Sequence, residues 1–174
     1  MSASNIAPAK KSATSSGAGS ANTSLDSVHA LNIVKEIEIA APVEITFEAV
    51  LAELGPEGQM PDGKPFPMKI EPWPGGRWFR DLGNDSGHFW GHVQVIKPPS
   101  LLEICGPMFM SYAAISHVQY RLTADGSGTR LKITHSAIGQ IPADHREGVQ
   151  EGWQHGLDRI REIAERLVSS GRGR

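Results

Sequence analysis

The stretch Asp144-His145-Arg146-Glu147-Gly148-Val149-Gln150-Glu151-Gly152-Trp153-Gln154-His155-Gly156-Leu157-Asp158-Arg159-Ile160-Arg161-Glu162-Ile163-Ala164-Glu165-Arg166-Leu167-Val168 contains neither proline nor a β-branched run. Asp144 and Glu147 come early and Arg159, Arg161 and Arg166 late, the order that complements a helix dipole. At about 100° per residue, Val149, Trp153, Ile160, Ile163 and Leu167 share one face. Gln150, Glu151, Gln154, Asp158, Glu162 and Glu165 take the opposite one. The pattern predicts one amphipathic helix of roughly 37 Å at ~1.5 Å per residue, long enough to cross a whole sheet.

Gly152 and Gly156 also fall on the apolar face, beside Trp153 and Ile160. Each glycine inside a helix costs about 1 kcal/mol relative to alanine, so two of them need a reason. One reason is close approach of the helix backbone to a sheet that carries large side chains. The other is space, with Trp153 as a wall, because a face with so wide a gap is not close-packed unless something fills it.

Upstream of this helix the chain reads as strands. Ile33 to Ala40 alternates, with Ile33, Lys35, Ile37 and Ile39 on one side. Pro42 opens a short helix at a position where its missing N–H costs nothing, and Val43, Phe47, Val50, Leu51 and Leu54 recur at helical spacing until Gly55-Pro56 stops it. A Pro/Gly-rich loop fills 55–67. Candidate strands follow at Met68–Trp73, Arg77–Leu82, His88–Lys97, Leu101–Cys105, Ile115–Thr123 and Thr129–Ile138. Pro74-Gly75-Gly76, Gly83-Asn84-Asp85, Pro98-Pro99 and Asp125-Gly126-Ser127-Gly128 separate them. The expectation is an α+β fold: a curved antiparallel sheet of about six or seven strands wrapped on the long C-terminal helix, with a short helix after the first strand.

Alternation then assigns the inward residues. Leu131 and Ile133 carry His135 and Ala137 inward with them, and Ser116, Val118, Tyr120 and Leu122 form a second inward set. Leu102 and Ile104 form a third, with Glu103 outward, and Phe89, Gly91, Val93 and Val95 a fourth. A ligand cavity between sheet and helix is therefore expected to involve Phe89, Val93, Leu102, Ile104, Val118, Tyr120, Ile133, His135, Val149, Gly152, Trp153, Gly156 and Ile160, apolar walls with few polar groups. Met108-Phe109-Met110-Ser111-Tyr112 is an apolar loop, read as an edge loop on the core in preference to a cover for an opening.

His135 and Tyr120 are the candidates for chemistry. An inward histidine against an apolar wall serves as a base or hydrogen-bond donor, or else is a core histidine bonded to a neighbouring backbone group or to Tyr120. Seven histidines raise the question of a metal, and none is expected. His88 and His92, four apart on a strand, sit about 13 Å apart and face away from the cavity. His29 belongs to the N-terminal tail and His155 to the polar face of the last helix. Cys105 is the single cysteine, which excludes an intrachain disulfide and points outward beside an inward position. Arg77-Trp78-Phe79-Arg80 interleaves basic and aromatic residues, which one buried strand face explains more simply than nucleic-acid binding.

With 174 residues the chain is long enough for one domain with a sizeable core, and its formal charge of -2 offers no footprint for nucleic acid or an anionic membrane. No stretch approaches the roughly 20 apolar residues that span a bilayer. Residues 1–30 contain eight Ser and seven Ala and no aromatic residue, which predicts a disordered tail ahead of a folded domain over 31–170. Lys10-Lys11 leads into Ser12-Ala13-Thr14, not an apolar run, so no secretory signal is expected, and a reducing cytoplasm is the expected compartment.

Several pieces taken in order carry a resemblance. They are Ala40-Ala41-Pro42, Pro74-Gly75-Gly76-Arg77, Gly91-His92-Val93 with Ile96-Lys97-Pro98-Pro99, Gly128-Thr129-Arg130-Leu131 with Thr134-His135-Ser136, and Gly152-Trp153. Together they resemble the SRPBCC (START-like) superfamily, in the branch named after the activator of the heat-shock-protein-90 ATPase. The resemblance covers about residues 33–168 and implies the helix-grip fold with a deep apolar cavity. It also implies a range of functions. The first is non-catalytic binding of a small apolar or aromatic molecule. The second is a cyclase or hydrolase using His135 and Tyr120, and the third a stress-related co-chaperone stimulating a heat-shock ATPase. No cofactor is implied. The chain departs from the pattern after the first helix, where Gly58-Gln59-Met60-Pro61-Asp62-Gly63-Lys64-Pro65 stands in place of a Trp-rich segment.

Overall fold

The computed structural model describes residues 28–108 and 112–171. The chain runs β1 (His29–Ile39), α1 (Val43–Glu53), β2 (Lys69–Ile70), β3 (Arg77–Gly83), β4 (Ser86–Lys97), β5 (Leu101–Gly106), β6 (Ala114–Asp125), β7 (Gly128–Gly139) and α2 (Ala143–Ser169). The seven strands make one antiparallel sheet in the order β1-β7-β6-β5-β4-β3-β2. This is the expected helix-grip arrangement. β1 crosses to the far side of β7 because α1 and the loop after it carry the chain around to the opposite edge, from which the meander returns hairpin by hairpin. No helix among the described residues is long and apolar enough to cross a membrane.

The turns follow their chemistry. Gly83 and Ser86 pair across Asn84 and Asp85, whose φ values of 51° and 57° make the left-handed two-residue turn that matches strand twist. The predicted strand Met68–Trp73 shortens to β2, since Pro72 has no N–H to continue a ladder. At the other end, β1 starts at His29, so His29 and Ala30 belong to the sheet; residues 1–27 of the Ser/Ala-rich segment lie outside the described residues.

Two bulges in β4 overturn part of the alternation. Trp78 pairs with Gly91 and Phe79 with Phe89, which leaves Trp90 as an extra residue. The phase flips there, so Trp90 packs on the core while Phe89 is 44% exposed. A second shift between Val93 and Val95 turns Ile96 inward in place of Val95. Gly91 and Gly106 meet at the first bulge: a Cβ on Gly106 would lie 2.4 Å from the Gly91 Cα. The other inward sets stand, with Leu102, Ile104, Val118, Tyr120, Leu131, Ile133 and His135 all fully or almost fully buried.

The main core lies between the sheet, α1 and the C-terminal half of α2, where Leu157, Ile160, Ile163 and Ala164 are buried. Burial of each such aliphatic side chain contributes about 1.5–3 kcal/mol, which anchors that half of the helix. A smaller cluster joins Val149 to Leu31, Ile33, Ala137 and Ile141. Trp153 packs against both. On the flank of α2 beside Trp153, Gly148 and Gly152 leave the helix without a neighbour within 4 Å of where a Cβ would stand.

Candidate ligand cavity

A cavity of about 420 Å³ opens between α2 and the segment that follows α1. Glu53 and Leu54 at the end of α1, then Gly58 to Pro61, Phe66 and Met68, form one side. Trp78, Trp90, Tyr120 and Ile133 form the floor on β3, β4, β6 and β7. On α2 the cavity runs from Asp144 to Ile160 and includes Gly148, Gly152 and Gly156. A Cβ on Gly148 or Gly152 would meet nothing within 4 Å, and one on Gly156 would meet only the Glu53 carboxyl, at 3.6 Å from Oε1. Close approach to the sheet therefore does not explain these glycines; Gly148 and Gly152 are exposed and Gly156 half-buried, so they leave the cavity open along its solvent side.

The expected site residues divide accordingly. Tyr120, Ile133, Val149, Gly152, Trp153, Gly156 and Ile160 border this space. Val93, Leu102, Ile104 and Val118 are buried in the core and do not reach it, and Phe89 is on the outer side of its bulge. His135 is fully buried and does not border the cavity either. Its Nδ1 accepts a hydrogen bond of 2.9 Å from Trp153 Nε1–H, and the two rings meet edge-on at 5.5 Å. This is a core histidine, bonded to the cavity wall and not to Tyr120. Burial, with a smaller contribution from His117, pushes its pKa down to about 4. The neutral ring therefore carries its proton on Nε2, which is buried with no partner. Tyr120 stacks edge-on against the other side of the arrangement, 6.3 Å from Trp153. Burial and the nearby Glu53 charge push its hydroxyl well above the usual phenol range, so it stays protonated and can act as a hydrogen-bond donor. His135 and Tyr120 thus do not face a common substrate position.

The wall also contains residues that the sequence pattern did not assign to it, Trp78, Trp90 and Gly148 among them, and two of these additions are titratable side chains on helix flanks. His155, expected on the polar face of α2, borders the cavity, with its Nε2 3.2 Å from the Gln59 carbonyl. At ~100° per residue it lies only about 20° from Gly148 around the helix. The glycine line is offset from the apolar stripe toward the 58–66 loop, so the flank faces the cavity. Glu53 is the second. Its side chain is half-buried in the apolar wall, and desolvation, only partly offset by Arg159, raises its pKa from 4.5 to about 7. The available signal was its place on α1, four residues after Ala49 and seven after Thr46, both fully buried.

Around the cavity, Tyr112 Oη lies 3.1 Å from His145 Nδ1, at the end of the apolar 108–112 loop, whose residues 109–111 lie outside the described residues. Among the described residues no three His, Cys, Asp or Glu side chains are grouped to hold a metal ion. Trp78 faces the core and donates its Nε1–H to Leu54 O at 2.7 Å, while the Arg77 and Arg80 guanidiniums cover the Phe79 and Phe66 rings. The basic and aromatic residues of β3 are thereby accounted for within the fold.

Solved structures share this architecture at low identity. An uncharacterized protein from Rhizobium leguminosarum superposes with a TM-score of 0.63 and 18% identity, over 80% of this chain and 97% of that one. CalU16 from Micromonospora echinospora gives 0.55 and 22%, over 82% and 83%. Protein CV1439 from Chromobacterium violaceum gives 0.58 and 21%, over 77% and 96%. No curated protein matches the chain in sequence. Residues 63–165, more than half of the chain, match the model of the family described as activator of Hsp90 ATPase homolog 1-like protein, and the chain belongs to that family.

Proposed function

We propose that this protein binds a small apolar or aromatic molecule in the cavity between the sheet and α2, without transforming it. The observation that carries this reading is the line Gly148, Gly152 and Gly156, which opens a helix flank that three alanines would narrow while stabilising the helix. Three of the four tryptophans, Trp78, Trp90 and Trp153, border the same space, which supports an aromatic or apolar occupant. His135 stands behind Trp153 and is neutral near pH 7, which favours binding over acid–base chemistry.

The test is the double substitution Gly148→Leu/Gly152→Leu, read by the fluorescence of Nile red, a neutral apolar dye. Both side chains enter open space, so the fold is kept and the helix gains propensity. Dye affinity is expected to fall by about tenfold or more, equivalent to about 1.4 kcal/mol. A folded variant that binds the dye as the wild type does refutes the assignment.

A further inference from the structure

The border of the cavity contains two carboxylates, Glu53 and Asp144, and no Lys or Arg. Glu53 is the one set deep, facing Gly156. Among the described residues nothing donates a hydrogen bond to its carboxyl, and no cation comes within ion-pair distance. Arg159, whose charge acts on it, turns its Nη1 to Glu162 Oε2 at 2.5 Å, leaves its Nε buried without a partner and does not border the cavity. The Tyr120 hydroxyl is likewise without a partner among the described residues, and it feels the Glu53 charge. Glu53 is half-buried in an apolar wall, and a carboxylate with no protein partner there is stabilised by a ligand that supplies one. The rings of Trp78, Trp90, Trp153 and Tyr120 border the same cavity, with Trp78 and Trp90 edge-to-face at 4.9 Å. Aromatic faces beside a carboxylate are the surroundings that favour an organic cation.

We propose that the cavity selects an apolar or aromatic amine, its ammonium group held against Glu53 beside Tyr120 and its apolar body between Trp78, Trp90 and Trp153. This inference rests on the cavity-binding reading and adds the chemical class of the ligand. The ammonium supplies the hydrogen bonds and the charge that Glu53 lacks in the protein alone, and the bound cation in turn keeps the carboxyl ionised. An anion finds no fixed cation at the border, and Glu53 and Asp144 repel it. The other titratable groups on the border, His145 and His155, each lie beside a polar partner, Tyr112 Oη and the Gln59 carbonyl.

A matched series tests the assignment: naphthylethylamine, naphthylethanol and naphthylacetic acid, titrated calorimetrically into the full chain at about pH 8, where Glu53 and the amine are both charged. The amine is expected to bind about tenfold or more tighter than the alcohol, and the acid weakest. Glu53→Gln is expected to bring the amine down to the alcohol's affinity and to leave the alcohol within about twofold. In the wild type the amine's advantage is expected to shrink by about tenfold per pH unit below pH ~7, as Glu53 is protonated. That second measurement needs no variant to fold. An alcohol or acid that binds as tightly as the amine, or a preference that survives both Glu53→Gln and acidification, overturns the amine assignment and leaves cavity binding standing. If none of the three binds, both readings fail.

Discussion

Glu53→Gln is expected to make the protein more stable at about pH 8, by as much as about 3 kcal/mol, and to change nothing at about pH 4. In the folded protein the carboxyl loses its proton near pH 7, and in the unfolded chain near 4.5. Between these values folding takes up a proton, so stability falls as the pH rises through the window. Below it both states are protonated and the penalty is absent; above it both are ionised and the penalty is complete. Glutamine has the same shape and never ionises. The measurement is the urea midpoint of both proteins at the two pH values, and an unchanged or lower midpoint for the variant at about pH 8 sinks the account. A group that weakens the fold in the working pH range is expected where it serves a ligand. Naphthylethylamine is accordingly expected to stabilise the wild type more than the variant at the same pH.

Much of the fold was legible because local chemistry and global topology agree. The long helix, the two-residue turn at Asn84-Asp85 and the alternation of β6 and β7 each follow from a single periodic rule, and each occurs. The pieces that carried the resemblance prove to be contacts between distant segments. Thr129 Oγ1 donates to Ala41 O at 2.7 Å, Gly75 and Gly76 exchange backbone hydrogen bonds with Val93, and Trp153 meets His135. What failed was phase. A bulge moves one residue, and that is enough to exchange Phe89 for Trp90 in the cavity wall. Periodicity carries no signal for such an insertion, because both neighbours are aromatic. Glu53 and His155 were missed for another reason. Both sit on flanks of their helices, and an apolar-versus-polar division assigns flanks to solvent. The loop 58–66, which turns these flanks into walls, has no periodic pattern at all.

His135, buried beside Trp153, is expected to act against Glu53 as the pH drops. His135 has a pKa near 4 when folded, against 6.5 in the unfolded chain. Below about pH 6.5 the unfolded chain takes up a proton that the folded ring refuses, so this group's contribution to stability falls as the pH drops, by up to about 3 kcal/mol at pH ~4, and offsets much of the gain that Glu53 gives over the same range. His135→Leu removes the titrating ring and leaves Glu53 unopposed, so the variant is expected to gain stability on acidification through that window where the wild type changes little. The same substitution leaves the Trp153 N–H beside the cavity without an acceptor, and Trp153→Phe leaves His135 Nδ1 buried without a donor. Each single change is expected to cost about 1–3 kcal/mol at neutral pH. The double variant replaces both partners by apolar groups, so it is expected to cost less than the sum of the two, with a coupling of about 1 kcal/mol. Urea unfolding of the four proteins at two pH values measures both effects. Additive losses would show that the hydrogen bond couples the two side chains by nothing measurable. A His135→Leu variant whose stability follows the wild type's pH dependence would place the opposing group elsewhere. Holding the indole by its N–H fixes the ring that walls the cavity, so loss of the bond is expected to loosen Nile red binding even where the fold remains intact.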